Sequence, residues 1–206
     1  QSIPHFYLRR DIKLDALLKF RGQLNTELEA RGVKLSVNDF IITACALALQ
    51  QVPSANAVWA GDRVLELEPS DVAVAVAIEG GLFTPVLKDA EVKTLSALSA
   101  EMKDLASRAR DRKLAPAERS GSTCTVTNLG MFGIEEFMAV VNPGEGGILA
   151  VGAIKDEVVV EDGQMVIRKM MRVTLCSDHR VFDGADNAKF LVTMKSLLEQ
   201  PLGLFV

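Results

Sequence analysis

Apolar residues along this chain recur in two rhythms, and the switches between them mark its elements. Leu14, Leu17, Leu18, Leu24 and Leu28 fall at helical spacing and predict a helix over 14–31, ended by Gly32. Residues 37–51 are apolar nearly all round, with Phe40, Ile41, Ile42, Ala44, Cys45, Ala46, Leu47 and Leu49, which predicts a deeply buried second helix. Ser36 and Asp39 supply a Ser-x-x-Asp cap at its start, and Pro53 stops it. Leu95, Leu98, Met102, Leu105 and Ala109 make the core stripe of a third helix over 94–113, whose charged opposite face reads as solvated. A fourth amphipathic helix is expected over 185–198.

Elsewhere the rhythm is that of strands. Residues 3–8 predict a short strand, which Pro4 confines to an edge or a strand start. Residues 57–59 and 64–67 flank Gly61-Asp62 as a hairpin. The Val/Ala run 71–78 predicts a strand covered on both faces, followed by a Gly80-Gly81 turn and a strand over 82–87 interrupted by Pro85. Strands are also expected over 122–128, 137–141 and 147–154. Residues 157–160 and 165–175 flank Asp162-Gly163, a strong hairpin signal, and 170–176 leads into the fourth helix. The pattern is α+β: a mixed sheet with about four helices, without repeats or linkers, in one domain over 1–206. Its first residues carry no signal-peptide pattern and read as the start of a piece cut from a longer protein.

Composition narrows the function classes. The 206 residues are 49% hydrophobic and 24% charged, enough for one well-cored domain. A net charge of -4 and 5% aromatics argue against a nucleic-acid footprint or a base-stacking surface. Three widely spaced cysteines without a Cys-x-x-Cys pair predict neither disulfides nor a metal site, and fit a reducing compartment. No apolar run reaches the roughly 18 residues of a membrane span.

The candidate chemistry sits in 177–185, Ser-Asp-His-Arg-Val-Phe-Asp-Gly-Ala, at a strand-to-helix corner. His179 is placed to act as a general base, with Asp183 in reach to orient it. By itself such a pair is more often structural than catalytic. Cys176 would point to the opposite strand face from His179, which makes it a buried thiol rather than a nucleophile. The other histidine, His5, reads as a packing or hydrogen-bonding residue.

These nine residues resemble the His-x-x-x-Asp-Gly signature of the acyltransferase (E2) core of 2-oxo acid dehydrogenase complexes and of chloramphenicol acetyltransferases. Ile3-Pro4-His5-Phe6, 37–41, Gly81-Leu82-Phe83-Thr84-Pro85-Val86, 125–133, Asn142-Pro143 and 148–152 resemble further E2 segments in the same order, so the likeness spans the chain. Asn128-Leu129-Gly130-Met131-Phe132-Gly133 looks like the pyruvate (acetyl) branch rather than the succinyl branch. The resemblance implies a chloramphenicol-acetyltransferase-like two-layer fold. It also implies a homotrimer whose active sites lie between subunits, assembled into a larger core through the apolar tail 202–206. The substrates it implies are coenzyme A and a lipoyl group carried on a separate domain, with no metal. The E1 and E3 components would be partners through modules upstream.

Residue by residue, His179 would be the base and Asp183 would hold the local structure and the imidazole. Thr127 would donate to the oxyanion, where the family usually has serine; its β-branch restricts χ1. In the family the carboxylate at the Asp183 position more often pairs with an arginine, and some members carry asparagine. Arg21 matches a coenzyme A phosphate contact, its alternative being a solvated charge, and Phe137 and Leu149 match lipoyl-side apolar contacts but read equally well as core. An imidazole of ordinary pKa ~6.5 suits removal of a proton from a thiol of ~8.5 near neutral pH. No covalent acyl-enzyme is expected. Bacterial cytosol and mitochondrial matrix both fit. A stand-alone antibiotic O-acetyltransferase and a non-catalytic scaffold are the alternatives, the scaffold disfavoured because His179 and Asp183 are intact.

Overall fold

The computed structural model describes residues 2–205. Strand β1 (His5–Lys13) leads into α1 (Asp15–Leu28), which tightens into a short turn ended by Gly32 at φ +66°. Helix α2 (Val37–Gln51) begins as its sequence predicts: the Ser36 hydroxyl accepts from the Asp39 N–H, and the Asp39 carboxylate accepts from the Ser36 N–H. Ten of its fifteen residues are buried. The hairpin β2 (Ala57–Trp59) and β3 (Val64–Glu66) follows.

The run 71–78 is not one strand. It splits into β4 (Val72–Val74), fully buried, and β5 (Val76–Ile78), where Ala77 is exposed. The Ala75 N–H bonds to the Val126 carbonyl, while β5 leaves the sheet to pair with β6 (Gly81–Phe83). Next come β7 (Val86–Leu87), α3 (Leu95–Arg110) capped by Thr94, and β8 (Cys124–Asn128).

Residues 137–141 form no strand, contrary to their pattern. Their amides bond to distant side chains instead: the Ala139 N–H to Cys176 Sγ at 3.3 Å and the Val141 N–H to His5 Nε2 at 2.9 Å. The strands β9 (Gly147–Glu161) and β10 (Gln164–Asp178) are longer than their apolar runs predict. They pair antiparallel through the Asp162-Gly163 turn, both residues at positive φ as a two-residue hairpin requires. β1 outlasts its predicted end because β10 offers a ladder as far as Met170. Helix α4 (Gly184–Glu199) closes the chain with a short turn, Pro201–Phe205.

The main sheet is mixed, in the order β1-β10-β9-β8-β4-β7, with β4–β8 and β8–β9 parallel. The helices bury one face: Val126, Leu149, Val151, Val173 and Leu175 join Phe40, Ile41, Phe190 and Met194 in one core cluster. The opposite face carries a small cluster of Val141, Ile148 and Cys176. Segment 134–141 is held there by ion pairs of Glu135 with Lys155 and of Glu136 with Arg9 and Arg172. Gly152 is required beneath it, because a Cβ would collide with the Glu135 carbonyl. Among the described residues no helix is long and apolar enough to cross a membrane, and no cluster of three or more His, Cys, Asp or Glu could hold a metal ion.

Candidate active site

β10 delivers its last residue, Asp178, buried, to the foot of the corner. The chain then turns, the Val181 and Phe182 N–H groups donating to the Asp178 carbonyl. The Asp178 carboxylate accepts from the Arg180 N–H at 3.0 Å and from its guanidinium at 2.6 Å. Burial works against this charge, but the guanidinium and the amide win and hold the carboxyl below its ordinary range. The guanidinium also lies over the Trp59 ring, 5.3 Å from its centroid. Both neighbours of His179 are therefore locked.

His179 itself is exposed. Its N–H donates to the Pro4 carbonyl at 2.9 Å, and its ring packs 4.9 Å from that of Phe6. Asp183 does not take the orienting role expected of it. Its Oδ1 accepts from the Ala185 and Asp186 N–H groups at 2.8 and 2.9 Å, capping α4, and these bonds depress its pKa despite partial desolvation. It holds the local structure, and no hydrogen bond joins it to the imidazole. The arginine of this corner pairs with Asp178, not Asp183.

Thr127 lies on β8, half-buried, at the edge of a cleft of about 420 Å³ lined by Asn38, Ala77, Met102, Arg110 and Asn128 among others. Asn128 anchors this strand end: its amide donates to Asn38 Oδ1 at 3.2 Å and its Oδ1 accepts from the Gly130 N–H at 2.8 Å. Thr127 and His179 do not meet within the chain. Thr127 pairs with Ala150 and Ala150 with Thr174, two strands over and five residues short of His179. At ~3.3 Å per residue and ~4.8 Å per strand, the two backbones are roughly 19 Å apart.

Arg21 is not a solvated charge. Its Nη1 donates to the Leu35 carbonyl at 3.3 Å, and its Nε is buried with no partner among the described residues. Leu35 precedes the cap of α2, and Ser36, Asn38 and Asp39 line the Thr127 cleft, so Arg21 and Thr127 share one side of the molecule. Phe137 is half-buried in the irregular segment. Leu149 is 0% exposed within the core cluster, as the core alternative of its two readings has it. Leu149→Ala is expected to lower stability by about 2–5 kcal/mol in urea unfolding; a loss well under 1 kcal/mol would contradict a core position. Cys176 is fully buried, and burial pushes its thiol up, against the pull of the Ala139 N–H, which leaves it protonated and inert. The Asp178–Arg180–Trp59 stack and the Phe6 contact were not anticipated from sequence. Only the Asp-x-Arg spacing hinted at the first, and the second depends on the register of β1 against β10.

The family model described as 2-oxoacid dehydrogenases acyltransferase (catalytic domain) matches residues 1–206. The chain is 51% identical over 210 residues to the dihydrolipoyllysine-residue acetyltransferase component of the pyruvate dehydrogenase complex of Rhizobium meliloti (strain 1021), covering 100% of this chain and 47% of that protein. It thus spans about half the length of the curated relatives it matches. Among solved structures it resembles the cubic core of the pyruvate dehydrogenase multienzyme complex, at 29% identity and TM-score 0.95, over 100% of this chain and 85% of that one. It also resembles the dihydrolipoamide acetyltransferase of Azotobacter vinelandii, at 30% identity and TM-score 0.95, over the same shares. That structure addresses a serine, a histidine and an asparagine in the catalytic mechanism, the serine fifty-two residues before the histidine and the asparagine four after. The fold extends to chloramphenicol acetyltransferase, at 13% identity and TM-score 0.59, over 96% of this chain and 89% of that one. The chain belongs to the acyltransferase catalytic-domain family of the 2-oxoacid dehydrogenases.

Proposed function

We propose that the chain transfers an acetyl group between the dihydrolipoyl thiol and coenzyme A, with His179 and Thr127 supplied by neighbouring subunits of a homotrimer. The observation that carries this reading is the pair itself. Thr127 and His179 stand fifty-two residues apart and Asp183 four further on, the spacing of the serine, histidine and asparagine addressed in the Azotobacter enzyme. The separation of roughly 19 Å within one chain supports a site completed by a second copy. So do the exposed apolar side chains of Leu82, Met131 and Phe132, which line the Thr127 cleft.

In the direction from acetyl-CoA, the incoming dihydrolipoyl sulfur attacks the thioester carbonyl while His179 accepts its proton. Thr127 donates a hydrogen bond to the oxyanion of the tetrahedral stage. As that stage collapses, the bond to the coenzyme A sulfur breaks and His179 returns the proton to the departing thiolate. No acyl-enzyme forms. Arg21 contacts a phosphate of coenzyme A, a task for which the planar guanidinium fork is suited. Phe137 contributes to the lipoyl side. Asp183 acts only on the backbone of the corner.

The partners this implies are lipoyl domains and the E1 and E3 components, in the bacterial cytosol or the mitochondrial matrix. The trimers assemble further through the tail. Pro201 and Leu204 bury against their own chain, and the Phe205 ring meets Phe20 edge-on at 5.8 Å, while Leu202 and the outer side of Phe205 stay exposed for docking. Deleting residues 202–206 is expected to reduce the particle to a trimer by light scattering; an unchanged size would refute tail-mediated assembly. The catalytic reading is tested by acetyl transfer from acetyl-CoA to dihydrolipoamide, with succinyl-CoA and a hydroxyl acceptor such as chloramphenicol alongside. Preference for succinyl-CoA moves the chain to another E2 branch, and preference for the hydroxyl acceptor makes it an O-acetyltransferase.

A further inference from the structure

We propose that Glu145 is a positioning residue for this transfer, tying the strand end that carries Thr127 to the corner that carries His179. The inference rests on the reading of those two residues given above. Glu145 is 8% exposed, in the turn between Asn142 and β9. Its Oε1 accepts from the Ser122 hydroxyl at 2.7 Å, and its Oε2 from the Thr125 hydroxyl at 2.6 Å and the Asn142 amide at 3.1 Å. The Asn142 amide also donates to the Thr125 hydroxyl at 3.0 Å, which closes the network. The groups acting on the carboxylate are these three, none of them charged, and the titratable neighbour that feels it is the buried Cys124 thiol. Burial pushes the Glu145 carboxyl up and the three donors pull it back only in part. A buried carboxylate without a counter-ion is costly, and a saturated hydrogen-bond network of this kind rigidifies what it joins.

What it joins are the two half-sites that one chain presents, Thr127 to one neighbour and His179 to the other. Thr125 and Thr127 are two apart on β8 and share a strand face. Gly146, the next residue after Glu145, donates its N–H to the Thr123 carbonyl at 2.9 Å. Its carbonyl accepts from the Asp178 N–H at 2.9 Å, one residue before His179. Gly146 has no slack, because a Cβ there would collide with the Ala57 carbonyl and the Phe182 ring. A shift of the Glu145 carboxylate therefore passes along β8 towards Thr127 and through Gly146 towards His179.

The test compares Glu145→Gln, Thr125→Val and Thr125→Ser in the assembled protein, with acetyl-CoA and dihydrolipoamide. Gln and Val each break the network without changing the side-chain shape, and Ser keeps the hydroxyl. The expected result is a kcat lowered about tenfold to a hundredfold in Glu145→Gln and Thr125→Val, with both KM values kept, and wild-type kcat in Thr125→Ser. Hydrogen exchange should rise in both 122–128 and 176–183 for the first two variants. Wild-type kcat in both overturns the proposal, as does an equal loss in Thr125→Ser or a rise in exchange confined to one segment. Should Glu145→Gln fail to fold, the Thr125 pair decides. His179→Ala in the same assay tests the underlying reading separately: undiminished turnover there removes the base, while the exchange result still judges the coupling.

Discussion

His179→Ala is expected to lower acetyl transfer by about 10²–10⁴-fold while leaving melting temperature and particle size unchanged. The bonds that build the corner explain why chemistry and stability should separate. The His179 N–H donates to Pro4, the Arg180 guanidinium and N–H bond to Asp178, and Asp183 Oδ1 caps α4. None of these uses the imidazole, whose one ring contact is Phe6. Truncation removes the proton acceptor and keeps the turn. Asp183→Asn provides the contrast. Asparagine caps a helix about as well as aspartate, so the fold and most of the turnover should survive. A loss equal to that of His179→Ala would show the carboxylate acting on the imidazole after all. Turnover unchanged by His179→Ala would remove the base from the mechanism.

Mixing two dead chains should restore activity. Thr127→Val is expected to lose about 10²–10³-fold through the missing oxyanion donor. Refolded in equal amounts with His179→Ala, it should yield about a quarter of wild-type activity. In a randomly mixed cyclic trimer each interface has a one-in-four chance of an intact His179 facing an intact Thr127. Within one chain the two positions stand roughly 19 Å apart, so a working pair needs two subunits. If the site were built inside one subunit, every mixture would stay as inactive as its parents. The double variant His179→Ala with Thr127→Val, mixed with wild type, controls for exchange of subunits.

Local signals in the chain were sufficient where a few adjacent residues settle the geometry. Helix α2 starts at Val37 because Ser36 and Asp39 satisfy each other's amides, an interaction complete within four residues. Asp162-Gly163 makes a hairpin because both residues tolerate positive φ. Patterning misled where backbone partners came from far away. Residues 137–141 form a short apolar run that reads as a strand, yet the Ala139 and Val141 amides bond to Cys176 and His5, 37 and 136 residues distant. The run 71–78 looks like one buried strand, and Ala75 divides it because β8 holds one half and β6 the other.

The site divides in the same way. Sequence alone determined the α+β class, the four helices and the His179–Asp183 pair, because periodicity, caps and the His-x-x-x-Asp-Gly spacing are local, and the family resemblance added Thr127, Arg21, Phe137 and Leu149. Tertiary structure decided what those residues touch. Leu149 fills the core, Arg21 lies against Leu35, and Glu145 binds two segments that no local rule connects. It also decided that Thr127 and His179 stand two strands and five residues apart, since register sums the pairing of three strands and is written in no single one.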